Sequence, residues 1–169
     1  MLNNIKMFID SIRAGYNFAR SGNMLGEAVM IKTVGELTIP VYVSDDFITM
    51  RMGIPFGAFY VFLIDGSTGI VLSESIWESN HSYVTIAHEI WHIVNGDADR
   101  LSSLSTMDKF LSLFDRYLDS EIKADAYAVD QYGGKAVTDA LEFFIENINS
   151  SKGIDELLER IAHIKGVGA

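Results

Sequence analysis

Cysteine is absent from the 169 residues. Disulfides and thiolate metal sites are therefore both excluded, and any bound metal must be held by histidine and carboxylate. Proline occurs only twice, and nearly half the residues are apolar, a composition that excludes a disordered chain. Lys and Arg number 13 against 23 Asp and Glu, for a formal charge of −10. Nucleic-acid binding is built from clustered basic side chains, so this balance argues against it. Long hydrophobic runs are also missing. The longest, Ile54 to Ile64, is interrupted by Pro55 and Gly57 and falls short of the roughly 20 residues that cross a bilayer. The first ten residues carry charge every few positions and no apolar signal core, so the expectation is a soluble cytoplasmic protein without a membrane partner. The length is that of a single domain, residues 1–169.

Against this background one stretch stands out, Tyr83 to Asp97, which contains His88-Glu89-Ile90-Trp91-His92. It reads as an amphipathic helix over about 82–95. Ser82 or Asn80 is placed to cap its start, and Asn95-Gly96 to end it. Ile86, Ile90, Ile93 and Val94 follow helical spacing and are expected to bury the face opposite the histidines. Residues four apart lie one above the other on a helix, so His88 and His92 can hold one metal ion. Glu89 beside them is the expected general base: a carboxylate next to a zinc-bound water takes its proton while the metal lowers the water's pKa.

Two histidines leave zinc under-coordinated, so another donor is required. Glu121 is the best candidate. Glu121, Ala124, Asp125 and Ala128 share one face by their spacing, and the two alanines allow close approach to the metal helix. Asp125, one turn on, is placed to accept the free ring N–H of a ligating histidine. Asp97 and Asp99 are the competing carboxylates. For stabilising an oxyanion, Tyr117 and His81 are candidates and the choice stays open.

The rest of the chain reads as an α+β domain. An amphipathic packing helix is expected over about 4–20 and a small twisted sheet over about 28–75. The third-ligand helix is expected over about 107–132 and two C-terminal helices over about 135–164, with the sheet packed on the metal helix. Within the sheet, Ile70 to Ser75 is either an edge strand to which an extended peptide substrate can add or a strand paired on both sides.

H-E-I-W-H at 88–92 followed by E-x-x-A-D at 121–125 resembles the gluzincin metallopeptidases. Two branches are similar: the HtpX/Oma-type and CAAX-prenyl endopeptidases, whose last helix often carries a segment like Glu159-Arg160-Ile161-Ala162, and the ImmA/IrrE-type peptidases. The resemblance implies His88, His92 and Glu121 as ligands of one zinc ion per chain, Glu89 as general base and Asp125 as the partner of a ligand. The activity it implies is peptide-bond hydrolysis in a protein or peptide substrate. The competing expectation is a binding protein in which zinc only staples two helices. Such a site is usually closed by four protein ligands, and the chain has only His81 and His163 as further histidines.

Overall fold

The computed structural model describes residues 25–63, 67–96, 117–148 and 151–166. The expected N-terminal helix, Asp97, Asp99 and the first part of the expected third-ligand helix lie outside them. The fold is α+β, with a mixed four-stranded sheet and six helices among the described residues. None of these helices is long and apolar enough to cross a membrane. The chain divides into two compact units, Met1–Asn80 and His81–Ala169.

The first unit holds strands β1 (Met30–Val34), β2 (Leu37–Val43), β3 (Ala58–Phe62) and β4 (Thr68–Leu72). Strands β1 and β2 form an antiparallel hairpin in which Val34 pairs with Leu37. Gly35 takes the positive φ of 59° that so short a turn requires. Helix α1 (Asp45–Met52) follows β2. It is capped by Ser44, whose hydroxyl accepts the Phe47 N–H at 3.2 Å, and closed by Gly53 at φ 77°. Helix α1 places Phe47 and Ile48 in a core with Leu25, Val61 and Val71.

The sheet order is β1-β2-β4-β3. Strand β4 pairs antiparallel with β3 and parallel with β2, where Val41, Tyr42 and Val43 face Ile70, Val71 and Leu72. This corrects the edge-strand expectation for Ile70 to Ser75. Strand β4 has a neighbour on each side and no free ladder for a peptide, and the segment beyond Leu72 turns at Ser73 into the short helix α2 (Glu74–Trp77). All of β4 from Gly69 to Leu72 is buried, which suits its run of apolar residues better than an exposed edge would.

The second unit is helical: α3 (Ser82–Val94), α4 (Tyr117–Tyr132), α5 (Gly134–Asn147) and α6 (Ser151–Ile164). Its core brings together Val84 and Ala87 of α3, Ala128 of α4, Val137, Ala140 and Leu141 of α5, and Leu157 and Ile161 of α6. Gly133, at φ 84°, ends α4 and lets α5 begin at the next residue.

Candidate metal centre

Helix α3 forms where the spacing predicts it, but its start differs. The cap position is His81, without a side-chain cap; neither Ser82 nor Asn80 takes that role, and the Thr85 hydroxyl donates instead to the His81 carbonyl at 3.0 Å. Its end is as expected, with Gly96 left-handed at φ 71°. Ile86 and Ile90 are buried, Ile93 is half-buried and Val94 is exposed. Glu89 and His92 are buried as well, so burial extends well beyond the isoleucine stripe.

His88 and His92 project from this helix with their rings 4.9 Å apart and their Nε2 atoms separated by 3.2 Å. Helix α4 brings Glu121 to them. One carboxylate oxygen, Oε2, lies 3.0 Å from His88 Nε2, and the other, Oε1, lies 3.2 Å from His92 Nε2. The close approach follows from the small residues between the helices, since Ala124 and Ala128 are fully buried on the face that carries Glu121 and Asp125. Asp125 sits one turn beyond Glu121, its Oδ1 2.9 Å from His88 Nδ1.

Helix α6 supplies Arg160, which lies in the segment Glu159-Arg160-Ile161-Ala162 but has no site role in the sequence expectations. Arg160 is buried, and its Nε and Nη2 donate to Asp125 Oδ2 and Oδ1, each at 2.7 Å, while Nη1 donates to Glu121 Oε2 at 3.0 Å. Besides that segment, the sequence held a second clue. Leu157, Arg160, Ile161 and Ile164 fall on one stripe of an otherwise amphipathic helix, and an arginine inside an apolar stripe demands a buried anion.

These neighbours reshape the titration of the site. Burial opposes a charged His88, but the Glu121 charge and the hydrogen bonds to Asp125 and Glu121 together outweigh it, and its pKa is pushed up to about 9. His92 is also raised: burial again opposes the charge, and the hydrogen bond to Glu121 and the charges of Glu89 and Glu121 overcome it. Burial alone would raise the two carboxylates. The His88 charge and the bonds from both histidines instead hold Glu121 well below the usual range, and the bonds from Arg160 and His88 hold Asp125 below it.

The buried trio His88, His92 and Glu121 lies close enough to bind a metal ion, its donor atoms all within 4.8 Å of one another. The fit to an ion can be tested on the spacing of these atoms. Four-coordinate zinc with bonds of about 2.0–2.1 Å separates its ligand atoms by roughly 3.3 Å. The two Nε2 atoms, 3.2 Å apart, match that spacing, and each has a different Glu121 oxygen at a similar distance, Oε2 at 3.0 Å from His88 and Oε1 at 3.2 Å from His92. Two imidazoles and one carboxylate are a donor set suited to zinc and to other first-row divalent ions. Glu89 is not one of the converging three. Among the other candidates, His81 packs its ring on Phe143 with centroids 5.0 Å apart, His163 is exposed on α6, and the Tyr117 side chain lies outside the described part of α4.

No protein-family model, curated protein or solved structure matches this chain.

Proposed function

We propose that this protein is a zinc-dependent peptidase of the gluzincin type, acting in the cytoplasm on a protein or peptide substrate. The observation that carries the reading is the convergence of His88 and His92 of an H-E-x-x-H helix with Glu121, one ligand atom of each lying within 4.8 Å of the others, with Glu89 buried beside them. In this reading the three residues hold one zinc ion per chain. Bound zinc supplies Lewis acidity, polarising a scissile carbonyl and acidifying a water at the position the protein leaves open. Glu89 accepts a proton from the attacking water. As the C–N bond breaks, it returns that proton to the leaving amine, so the two products carry the elements of one water molecule. Asp125 accepts the Nδ1–H of His88, which turns Nε2 toward the ion and sets the ring plane.

The competing reading is a zinc that only staples α3 to α4. Structural zinc is usually closed by four protein ligands, and among the described residues no fourth His or carboxylate joins the three. The hydrolytic reading is also favoured by Glu89, which a staple does not need.

Zinc content and cleavage of a proteome-derived peptide library, for wild type and Glu89→Gln, test the proposal. Wild type is expected to hold about one zinc per chain and to cut peptides, and the variant to keep its zinc and lose cleavage. A variant as active as wild type sinks the base assignment. A wild type that binds zinc and cleaves nothing moves the staple to first place.

A further inference from the structure

We infer that Arg160 is a positioning residue of the metal centre, which makes Glu121 a one-oxygen ligand and fixes the tautomer of His88. The inference rests on the metal-binding reading above and concerns how that site is kept open.

The geometry starts from a cost. A guanidinium with its side chain 9% exposed has lost most of its hydration and is tolerated only where anions replace the water. Arg160 finds two. Its Nε and Nη2 fork across both oxygens of Asp125, the bidentate arrangement that matches guanidinium to carboxylate and fixes the carboxylate plane. With that plane fixed, Asp125 Oδ1 receives two donors, Arg160 Nη2 at 2.7 Å and His88 Nδ1 at 2.9 Å. Nη2 also approaches His88 Nδ1 at 3.4 Å. A carboxylate oxygen only accepts, so the 2.9 Å contact with Oδ1 calls for the proton on Nδ1, and the longer approach of Nη2 is then a meeting of two N–H groups that share one acceptor. The proton of the neutral imidazole is thereby held on Nδ1, and Nε2 is the nitrogen left with a lone pair for an ion.

The third donor acts on the ligand itself. Nη1 lies 3.0 Å from Glu121 Oε2, so that oxygen already accepts a charged hydrogen bond. Oε2 also lies 3.0 Å from His88 Nε2, while Oε1 faces His92 Nε2 at 3.2 Å. Each carboxylate oxygen has two lone pairs, and the bond from Nη1 takes one of those on Oε2, so the inference is that Oε1 is the oxygen given to the ion. Without that anchor both Glu121 oxygens are available to the ion. A two-oxygen carboxylate would take the coordination position that a water needs for hydrolysis. Lysine in place of Arg160 would keep the positive charge, but a point charge cannot fork across Asp125 and reach Glu121 together.

The test uses zinc affinity, measured by competition with a chelator, and the visible absorption of the cobalt(II)-loaded protein, whose band intensity falls as coordination number rises. Wild type, Arg160→Lys and Arg160→Met are compared, with the thermal midpoint of each metal-free protein recorded alongside. The expected result is a zinc affinity lower by about tenfold or more in both variants, and weaker cobalt bands in Arg160→Lys despite its retained charge. If Arg160→Met does not fold, Arg160→Lys alone decides. Wild-type affinity and an unchanged cobalt spectrum in a folded Arg160→Lys protein, with only the thermal midpoint lowered, would overturn the inference and leave Arg160 as a helix staple. A wild-type protein that binds neither ion would overturn the metal reading itself, a failure plainly different from unchanged variants.

Discussion

Asp125 Oδ1 lies 2.9 Å from His88 Nδ1, on the far side of the imidazole from Glu121, whose Oε2 sits 3.0 Å from Nε2 of the same ring. One histidine therefore bridges two carboxylates presented by consecutive turns of α4. A ring clamped in this way cannot rotate to offer its other nitrogen, so the helix that supplies the third donor also orients the first. Asp125→Asn keeps the size of the side chain but removes its charge and puts an amide donor where one acceptor stood. Zinc affinity is expected to fall about 10- to 100-fold in this variant. Isothermal titration against a competing chelator measures it, and an unchanged affinity would mean that His88 is oriented by other contacts.

Protons stand where the ion is proposed to bind. A ligating imidazole must be neutral, whereas His88 titrates near 9 and His92 above its ordinary value in the ion-free arrangement. Metal binding at pH about 7.5 is therefore expected to release at least about one proton per ion, and affinity to rise with pH until His88 has lost its proton. Titrations in two buffers of different ionisation enthalpy count the protons. No release would show that both histidines are already neutral in the free protein.

Stability of the metal-free protein carries the same signature with a definite sign. The His88 pKa is raised on folding, from 6.5 to about 9, so its contribution is fully present below 6.5 and is lost as pH rises through about 9. Glu121 and Asp125 are lowered, so their contribution is present above their ordinary values of 4.5 and 3.8 and is lost as pH falls below them. The metal-free thermal midpoint is expected to be highest between about pH 5 and 6.5 and to decline on both sides. Saturating zinc removes the alkaline decline, because the ion replaces the proton. Thermal scans across pH, with and without zinc, read both effects. A metal-free midpoint that stays flat from pH 6.5 to 9 would contradict the shifted His88.

The residues that converge here were unequally visible in the sequence. His88 and His92, and likewise Glu121 and Asp125, are four apart, and the helical period alone puts each pair on one face. Ala124 and Ala128 hinted that the two faces meet, and the fully buried alanines show why they can. The role of Arg160 was hidden because its partners are 35 and 39 residues away, and an arginine on an amphipathic helix reads first as a solvated charge. The place of strand β4 in the sheet stayed open for a related reason. Its hairpin with β3 is local and legible, but the parallel pairing of Val41 with Ile70 spans α1 and β3, and no local pattern records which strand lies on the second side.

The closeness of α3 and α4 is itself open to a direct test. Ala128 is fully buried in the core that also holds Val84 and Ala87, so the facing surfaces of the two helices are made of small or branched side chains. Ala128→Leu inserts three carbons where a packed interior has no space, and the strain is relieved by pushing the helices apart. The cost is expected to be about 1–3 kcal/mol of stability. Separation of the helices also moves Glu121 from the histidines, since it rides on α4 two turns before Ala128, so zinc affinity should fall with stability. Ala126→Leu, on the exposed side of the same helix, supplies the control, with a change within about 0.5 kcal/mol. Denaturant unfolding and chelator competition on the two variants check the pair. Equal behaviour of both would mean that α3 and α4 have room to spare, and that the donor triangle does not depend on their tight packing.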